Sequence, residues 1–260
     1  MNDQQILEIA LRQSAYDCNC KPEDFLSKEN IVHESLESEK ARRYLKLPLI
    51  CDLVSYGTNI VATGRAELLS DIKLFIDGVP NIENCFETPG LYALNKVLER
   101  ADARICFMAD YFLPNIDEVY RFNQYCGFEL RILEPTEFAD LYKPEWKNAL
   151  CAERKQLDVL AVGAYDKGRL VGLAGCSADC DTMWQIGIDV LPEYRRQGIA
   201  STLTNRLARE ALERERVPFY CAAWSNVKSV RNAIRSGFRP AWVEATAKSN
   251  DYIENMLKKT

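Results

Sequence analysis

The run Arg195-Arg196-Gln197-Gly198 leads directly into Ile199 and Ala200, and its residue types suit an anion. Guanidiniums carry permanent charge and fork-shaped donors. A glycine lets an oxyanion approach the backbone where a Cβ would otherwise stand. If a helix begins here, its first N–H groups have no intrahelical acceptor and lie at the positive end of the helix dipole. Charge, open backbone and spare amides together fit a pyrophosphate. The plain alternative is a strand–turn–helix corner with solvated arginines.

The flanking residues supply the elements that such a turn needs. Met183–Val190 is apolar and β-branched, and Pro192, which has no N–H for a ladder, ends it. After the turn, Ile199, Leu203, Leu207, Ala211 and Leu212 recur at three-to-four spacing, with Arg206, Arg209, Glu210, Glu213 and Arg214 on the opposite side. In the strand, the two-residue period places Gln185 and Asp189 on one face, opposite Trp184, Ile186 and Ile188. Asp189 is the strand's only carboxylate.

Arg195-x-x-Gly198-x-Ala200, between that strand and that helix, closely resembles the acyl-CoA signature of the GNAT superfamily of N-acetyltransferases, (Gln/Arg)-x-x-Gly-x-(Gly/Ala). The resemblance implies that Arg195, Arg196, Gln197, Gly198, Ile199 and Ala200 receive the diphosphate of acetyl-coenzyme A. It also implies that backbone N–H groups from Ile188 to Val190 serve the thioester oxygen and the pantetheine amides, on a strand splayed from its neighbour by a bulge. Donors aimed at a developing oxyanion typically matter by about 3–4 kcal/mol.

Asn226-x-x-Ser229, with Gly237-Phe238 beginning eleven residues after the asparagine, resembles the later GNAT motif Asn-x-x-(Ala/Ser)…Gly-Phe. This implies that Asn226 and Ser229 lie along the pantetheine arm. Read from the residues alone, Asn226 is a helix N-cap, and one side chain can serve both purposes.

The chain departs from the family at one position. Many members carry a tyrosine seven residues after this asparagine to protonate the leaving thiolate; here that residue is Ala233. Tyr220, Ser225 or solvent are the available substitutes. A thiol pKa near 8.5 makes the thiolate a tolerable leaving group, so the loss need not abolish turnover. An acceptor alkylammonium with pKa about 10.4 must lose its proton, costing on the order of 4–5 kcal/mol at neutral pH. Asp189 is the candidate base or ammonium anchor; the alternative is a polar residue facing out of the sheet.

Composition bounds the remaining classes. The 260 residues carry a net charge of −5, which argues against nucleic acid bound through its phosphates. No apolar run approaches a membrane span and no secretory leader is visible, so a cytoplasmic protein is expected. Several of the ten cysteines lie in apolar runs and are expected as free thiols. Their spacing, with His33 as the only histidine, gives no metal site and no Ser-His or Cys-His nucleophile; His33 is expected as a surface or packing residue.

The expected architecture is α+β (mixed α/β) in two domains. Residues 1–126 form a smaller α+β domain, with helices at 1–15, 65–75 and 91–100 and strands at 49–55, 60–63 and 103–109. Residues 127–260 form the GNAT-like domain, a central, mostly antiparallel sheet flanked by helices. Its opening strand at 129 and a helix after Pro135 resemble the family's first strand and helix, the helix walling the acceptor cleft. Then follow a hairpin turning at Asp166-Lys167-Gly168, the motif strand and helix, strands at 217–223 and 241–248, and helices at 226–236 and 250–259. The implied activity is transfer of an acetyl group from acetyl-CoA to an amine, expected on a small molecule, by direct attack in a ternary complex. The rivals are an acyl-CoA-binding regulatory protein without catalysis and a protein or peptide N-acetyltransferase. Nothing in the first half chooses between shaping the acceptor pocket, forming a homodimer and being a worn copy of the same fold.

Overall fold

The computed structural model describes residues 1–258. Residues 1–9 and 112–240 pack as one compact unit, and residues 10–111 with those from 241 onward as another. The chain therefore changes unit three times, after Ile9, after Tyr111 and after Pro240, rather than once near residue 126.

Along the chain the elements are α1 (Asp3–Asp17), β1 (Ile31–Glu34), β2 (Cys51–Ser55), β3 (Val61–Gly64), α2 (Leu69–Gly78) and α3 (Thr88–Leu98). Then come β4 (Ala103–Pro114), α4 (Ile116–Arg121), β5 (Glu129–Leu133), β6 (Asp158–Asp166), β7 (Arg169–Ser177) and β8 (Met183–Val190). The last are α5 (Ile199–Glu213), β9 (Val217–Ala223), α6 (Val227–Arg235), β10 (Phe238–Ser249) and α7 (Asn250–Leu257). The sequence misses β1 and α4. The helix expected after Pro135 is absent: short 3-10 turns at Ala139–Leu141 and Pro144–Trp146 replace it. Pro144 disfavours helical backbone at Lys143, so an eight-residue window between prolines cannot sustain several turns. The expected end of the terminal helix, Lys259, lies outside the described residues.

In the unit of residues 112–240, strands run in the order β9-β8-β7-β6-β5. All pair antiparallel except β8 with β9, which are parallel. The expected hairpin turn is present, with Lys167 and Gly168 both at positive φ. Ile199, Leu203, Leu207 and Ala208 of α5 pack on one sheet face with Val162, Val171, Ala174 and Ile186. Phe138, Trp146, Ala149 and Leu150 cover the other face against Leu133, Ala161 and Leu173.

In the unit of residues 10–111 and 241 onward, the order is β1-β3-β2-β10-β4. Helices α2 and α3 bury Ile72, Ile76, Leu94 and Leu98 against Leu53, Ala62, Ala245 and Ala247. Elsewhere in this unit polar groups are buried, Arg42 being held between Asp17 and Glu244. Every cysteine is a free thiol. Among the described residues, no helix is long and apolar enough to cross a membrane.

Candidate active site

Two sheet glycines seat the parts of the site on opposite faces. Gly172 of β7 leaves room for the start of α5: a Cβ there would meet Ile199 Cγ2 at 2.7 Å. On the other face a Cβ at Gly187 of β8 would collide with the Asn148 carbonyl oxygen. Glycine inside a strand often marks close approach of another backbone, as Asn148 does at Gly187, whereas at Gly172 the space is taken by the side chains of Ile199 and Leu203.

β8 and β9 face each other in register only from Met183 with Val217 to Ile186 with Tyr220. β8 continues to Val190 along β7, with Ala174 opposite Ile188 and Gly172 opposite Val190. The recorded pairing with β9 thus ends before Ile188–Val190, the backbone whose N–H groups were expected to serve the thioester and pantetheine.

Beyond β8, Pro192–Tyr194 makes one 3-10 turn, and Gly198 caps α5 with φ 79°. Arg196 also has positive φ, at 64°. That left-handed geometry explains the glycine at 198. Arg195, Arg196 and Gln197 are exposed, and Arg195 Nε donates to the Val190 carbonyl at 3.1 Å, tying the turn to the strand end. Ile199 is 1% exposed and its side chain lies in the core, so its expected binding role reduces to its backbone N–H. Ala200 is half-buried one position on.

A residue without a sequence signal lies over this turn. The Gln124 side chain occupies the space next to Gly198, and its Oε1 accepts from Ser201 Oγ at 3.0 Å. The rest of that helix face continues the contact. Asn205 Nδ2 donates to the carbonyls of Val119 and Ser236, at 2.9 and 3.0 Å. The Arg209 guanidinium reaches the carbonyls of Val119, Tyr120 and Phe122. The side of α5 that the periodicity assigns to solvent is therefore partly covered; Glu210 is buried between Arg206 and Arg214.

Asp189 does lie in β8, but its carboxylate is already engaged. Oδ2 accepts from the backbone N–H groups of Asn148 at 2.8 Å and Ala149 at 2.9 Å, and Oδ1 from Asn148 Nδ2 at 2.6 Å. A carboxylate has about four acceptor positions, so roughly one remains, on Oδ1. Gln185, on the same face, donates through Nε2 to Cys221 Sγ at 2.9 Å.

Asn226 caps α6, accepting from Ser229 N at 3.2 Å, as its reading from the residues alone requires. Ser229 Oγ and the Tyr220 hydroxyl lie 2.8 Å apart. Tyr220 is 2% exposed, edge-to-face with Phe112 and tilted against Phe238. Burial pushes its phenol above the ordinary range, against opposing hydrogen bonds with Ser229 and Asn232, so it stays protonated at neutral pH. Ala233 is fully buried in the same cluster. Ser225 is exposed before the cap and is not drawn into the Tyr220–Ser229 pair.

Of the expected residues, the fold thus joins Tyr220, Ser229 and Asn226 at one place and Arg195 through Ala200 at another. Gln124 and Asn148 were not foreseen. His33, half-buried on β1, lies close to Cys20 and Asp24, the ligand atoms of the three all within 4.8 Å of one another.

Residues 127–238 match the model of the acetyltransferase (GNAT) family. No curated protein sequence is significantly similar to the chain. Among solved structures it is similar to a GCN5-related N-acetyltransferase-like protein from Streptococcus suis, at 16% identity and TM-score 0.44, over 59% of this chain and 68% of that one. A GCN5-related N-acetyltransferase from Kribbella flavida gives 17% identity and TM-score 0.49, over 62% and 64%. An aminoglycoside N-acetyltransferase, AAC(6')-Iy, in complex with CoA gives 20% identity and TM-score 0.35, over 44% and 89%. The chain spans less than two thirds of the Kribbella protein's length.

Proposed function

We propose, from the GNAT-family acetyltransferase domain that residues 127–238 form, that this protein transfers an acetyl group from acetyl-CoA to an amine of a small molecule. The observation that carries the reading is the parting of β8 from β9 after Ile186 and Tyr220, next to a helix start capped by a left-handed glycine. Bound there, acetyl-CoA supplies an activated acyl thioester, and the amine attacks it directly in a ternary complex.

The protein's own groups have these roles in the reading. The amides at the start of α5, with Arg196 and Gln197, hold the diphosphate, which takes the place of the Gln124 side chain beside Gly198. The N–H groups of Ile188 and Val190 steady the pantetheine arm and the carbonyl oxygen. Asn226 and Ser229 border the same arm. Tyr220, protonated and joined to Ser229, stands in for the absent hydroxyl at Ala233 as proton donor. Asp189 orders the Asn148–Ala149 loop and anchors the acceptor ammonium through its remaining Oδ1 position.

Two observations favour the non-catalytic alternative, an acyl-CoA-binding regulator: residue 233 is alanine, and three donors already hold the Asp189 carboxylate. Thiol release from acetyl-CoA over a panel of amines and amino acids, run beside calorimetric titration of CoA, separates them. Turnover on an amine supports the transferase; binding without turnover on any acceptor supports the regulator; absence of binding overturns both.

A further inference from the structure

We infer that Cys20, Asp24 and His33 form a three-ligand site for a zinc-class divalent cation, outside the acyltransferase domain. The three lie on separate pieces of chain. Cys20 follows the end of α1, Asp24 is in the 3-10 turn Pro22–Leu26, and His33 is in β1. Each offers one donor atom, sulfur, oxygen and imidazole nitrogen, and these atoms lie within 4.8 Å of one another. His33 Nε2 and Asp24 Oδ2 are 3.0 Å apart.

Tetrahedral zinc takes N and O ligands at about 2.0–2.2 Å and S at about 2.3 Å, so ligand atoms stand roughly 3.3–3.8 Å apart. The cluster needs shifts of no more than about an ångström to reach that spacing. Three protein ligands leave the fourth position for water, and the side chains are half-buried, so an ion has a path of access.

The backbone around the cluster is held in place. Asn59, 1% exposed, donates through Nδ2 to the carbonyls of Asp24 and Glu29 at 2.8 and 2.7 Å. Asn19 Nδ2 donates to the Glu34 carbonyl at 3.1 Å, next to His33. Lys21 N donates to Asp24 Oδ2 at 3.0 Å, orienting the carboxylate. Such outer partners fix ligand orientation before an ion arrives. A thiolate, a carboxylate and a neutral imidazole sum to two negative charges, matching a dication. Bound there, the ion clips the end of α1 to β1.

The test uses the full chain, stripped of metal with a chelator and titrated with Zn²⁺ against a chromogenic competitor. One equivalent is expected to bind, and Cys20→Ser and His33→Gln should each weaken it by at least about tenfold. Cys106→Ser, a half-exposed thiol elsewhere in the same unit, should leave it unchanged. Co²⁺ in place of zinc should give a thiolate charge-transfer band that Cys20→Ser removes. Circular dichroism of the metal-free variants checks folding, and His33→Gln alone decides if the serine variant does not fold. Zinc binding no tighter in the native chain than in His33→Gln, or cobalt bound without the thiolate band, overturns the site.

Discussion

Ile186 of β8 and Tyr220 of β9 are the last residues that face each other in the parallel pairing of those strands, and the Tyr220 hydroxyl meets Ser229 Oγ 2.8 Å away. The place where the sheet parts is therefore also where α6 delivers a hydroxyl pair. A protonated phenol at that fork fits a donor to a departing thiolate better than exposed Ser225 does.

Tyr220→Phe should accordingly lower kcat by about 10²–10⁴-fold, the usual range for a positioned acid, with the KM for acetyl-CoA little changed. The lost hydroxyl also leaves Ser229 without its phenol partner, a stability loss of about 1 kcal/mol. Steady-state kinetics together with urea unfolding distinguishes the two effects. An unchanged kcat removes Tyr220 from the chemistry.

Gln124 lies against Gly198 and accepts from Ser201, at the turn where the proposed function puts the diphosphate. A ligand entering there must displace that side chain. Breaking one such hydrogen bond costs about 0.5–1.5 kcal/mol net, so Gln124→Ala should tighten CoA binding by roughly two- to twelvefold. Titration calorimetry reads this directly. Weaker binding in the variant makes Gln124 a ligand contact rather than a cover.

The Asp189 carboxylate accepts one side-chain and one backbone hydrogen bond from Asn148, with Ala149 N adding a third. Asp189→Asn should lose about 1–3 kcal/mol of stability by weakening charge-assisted bonds to backbone N–H groups. A double-mutant cycle with Asn148→Ala should show positive coupling by chemical denaturation. Additive losses contradict the pairing. A raised KM for the amine in Asp189→Asn, with CoA affinity intact, supports the anchor.

Burial raises the Asp158 carboxyl to about 6, against hydrogen bonds from Cys151 N and Tyr142. The folded form therefore holds a proton that the unfolded chain, near pH 3.9, has released. Between about pH 4 and 6 the folded state binds more protons, so this group's contribution to stability falls as pH rises through that window. Asp158→Asn should flatten that part of the profile and gain roughly 1–3 kcal/mol over the native chain at pH 7 relative to pH 4. Urea unfolding of both proteins across the window checks it; parallel profiles contradict it.

What the sequence made legible was local. Asn226 implied a helix start and Lys167-Gly168 a tight hairpin, because each depends on neighbours a few residues away. What it hid was contact at a distance. Asn148 is 41 positions from Asp189 and Gln124 is 77 from Ser201, and no periodicity encodes such a pairing. Arg209 reads as solvated because helical spacing reports one buried stripe, not a second layer of chain over the polar side. β1 escaped notice because Ile31-Val32-His33-Glu34 is too short to show alternation, and with it went the convergence of His33 on Cys20 and Asp24.

The central claim is that acetyl-CoA is held at the turn from Arg195 to Ala200. Arg196 is exposed there, outside the core, so Arg196→Glu reverses a charge without removing packing. Calorimetric titration of CoA should show 1:1 binding to the native chain and a loss of at least about tenfold in Arg196→Glu, the scale of a charge-assisted contact worth 1.5–3 kcal/mol. Equal affinity in the two proteins, or no binding to the native chain, contradicts the account.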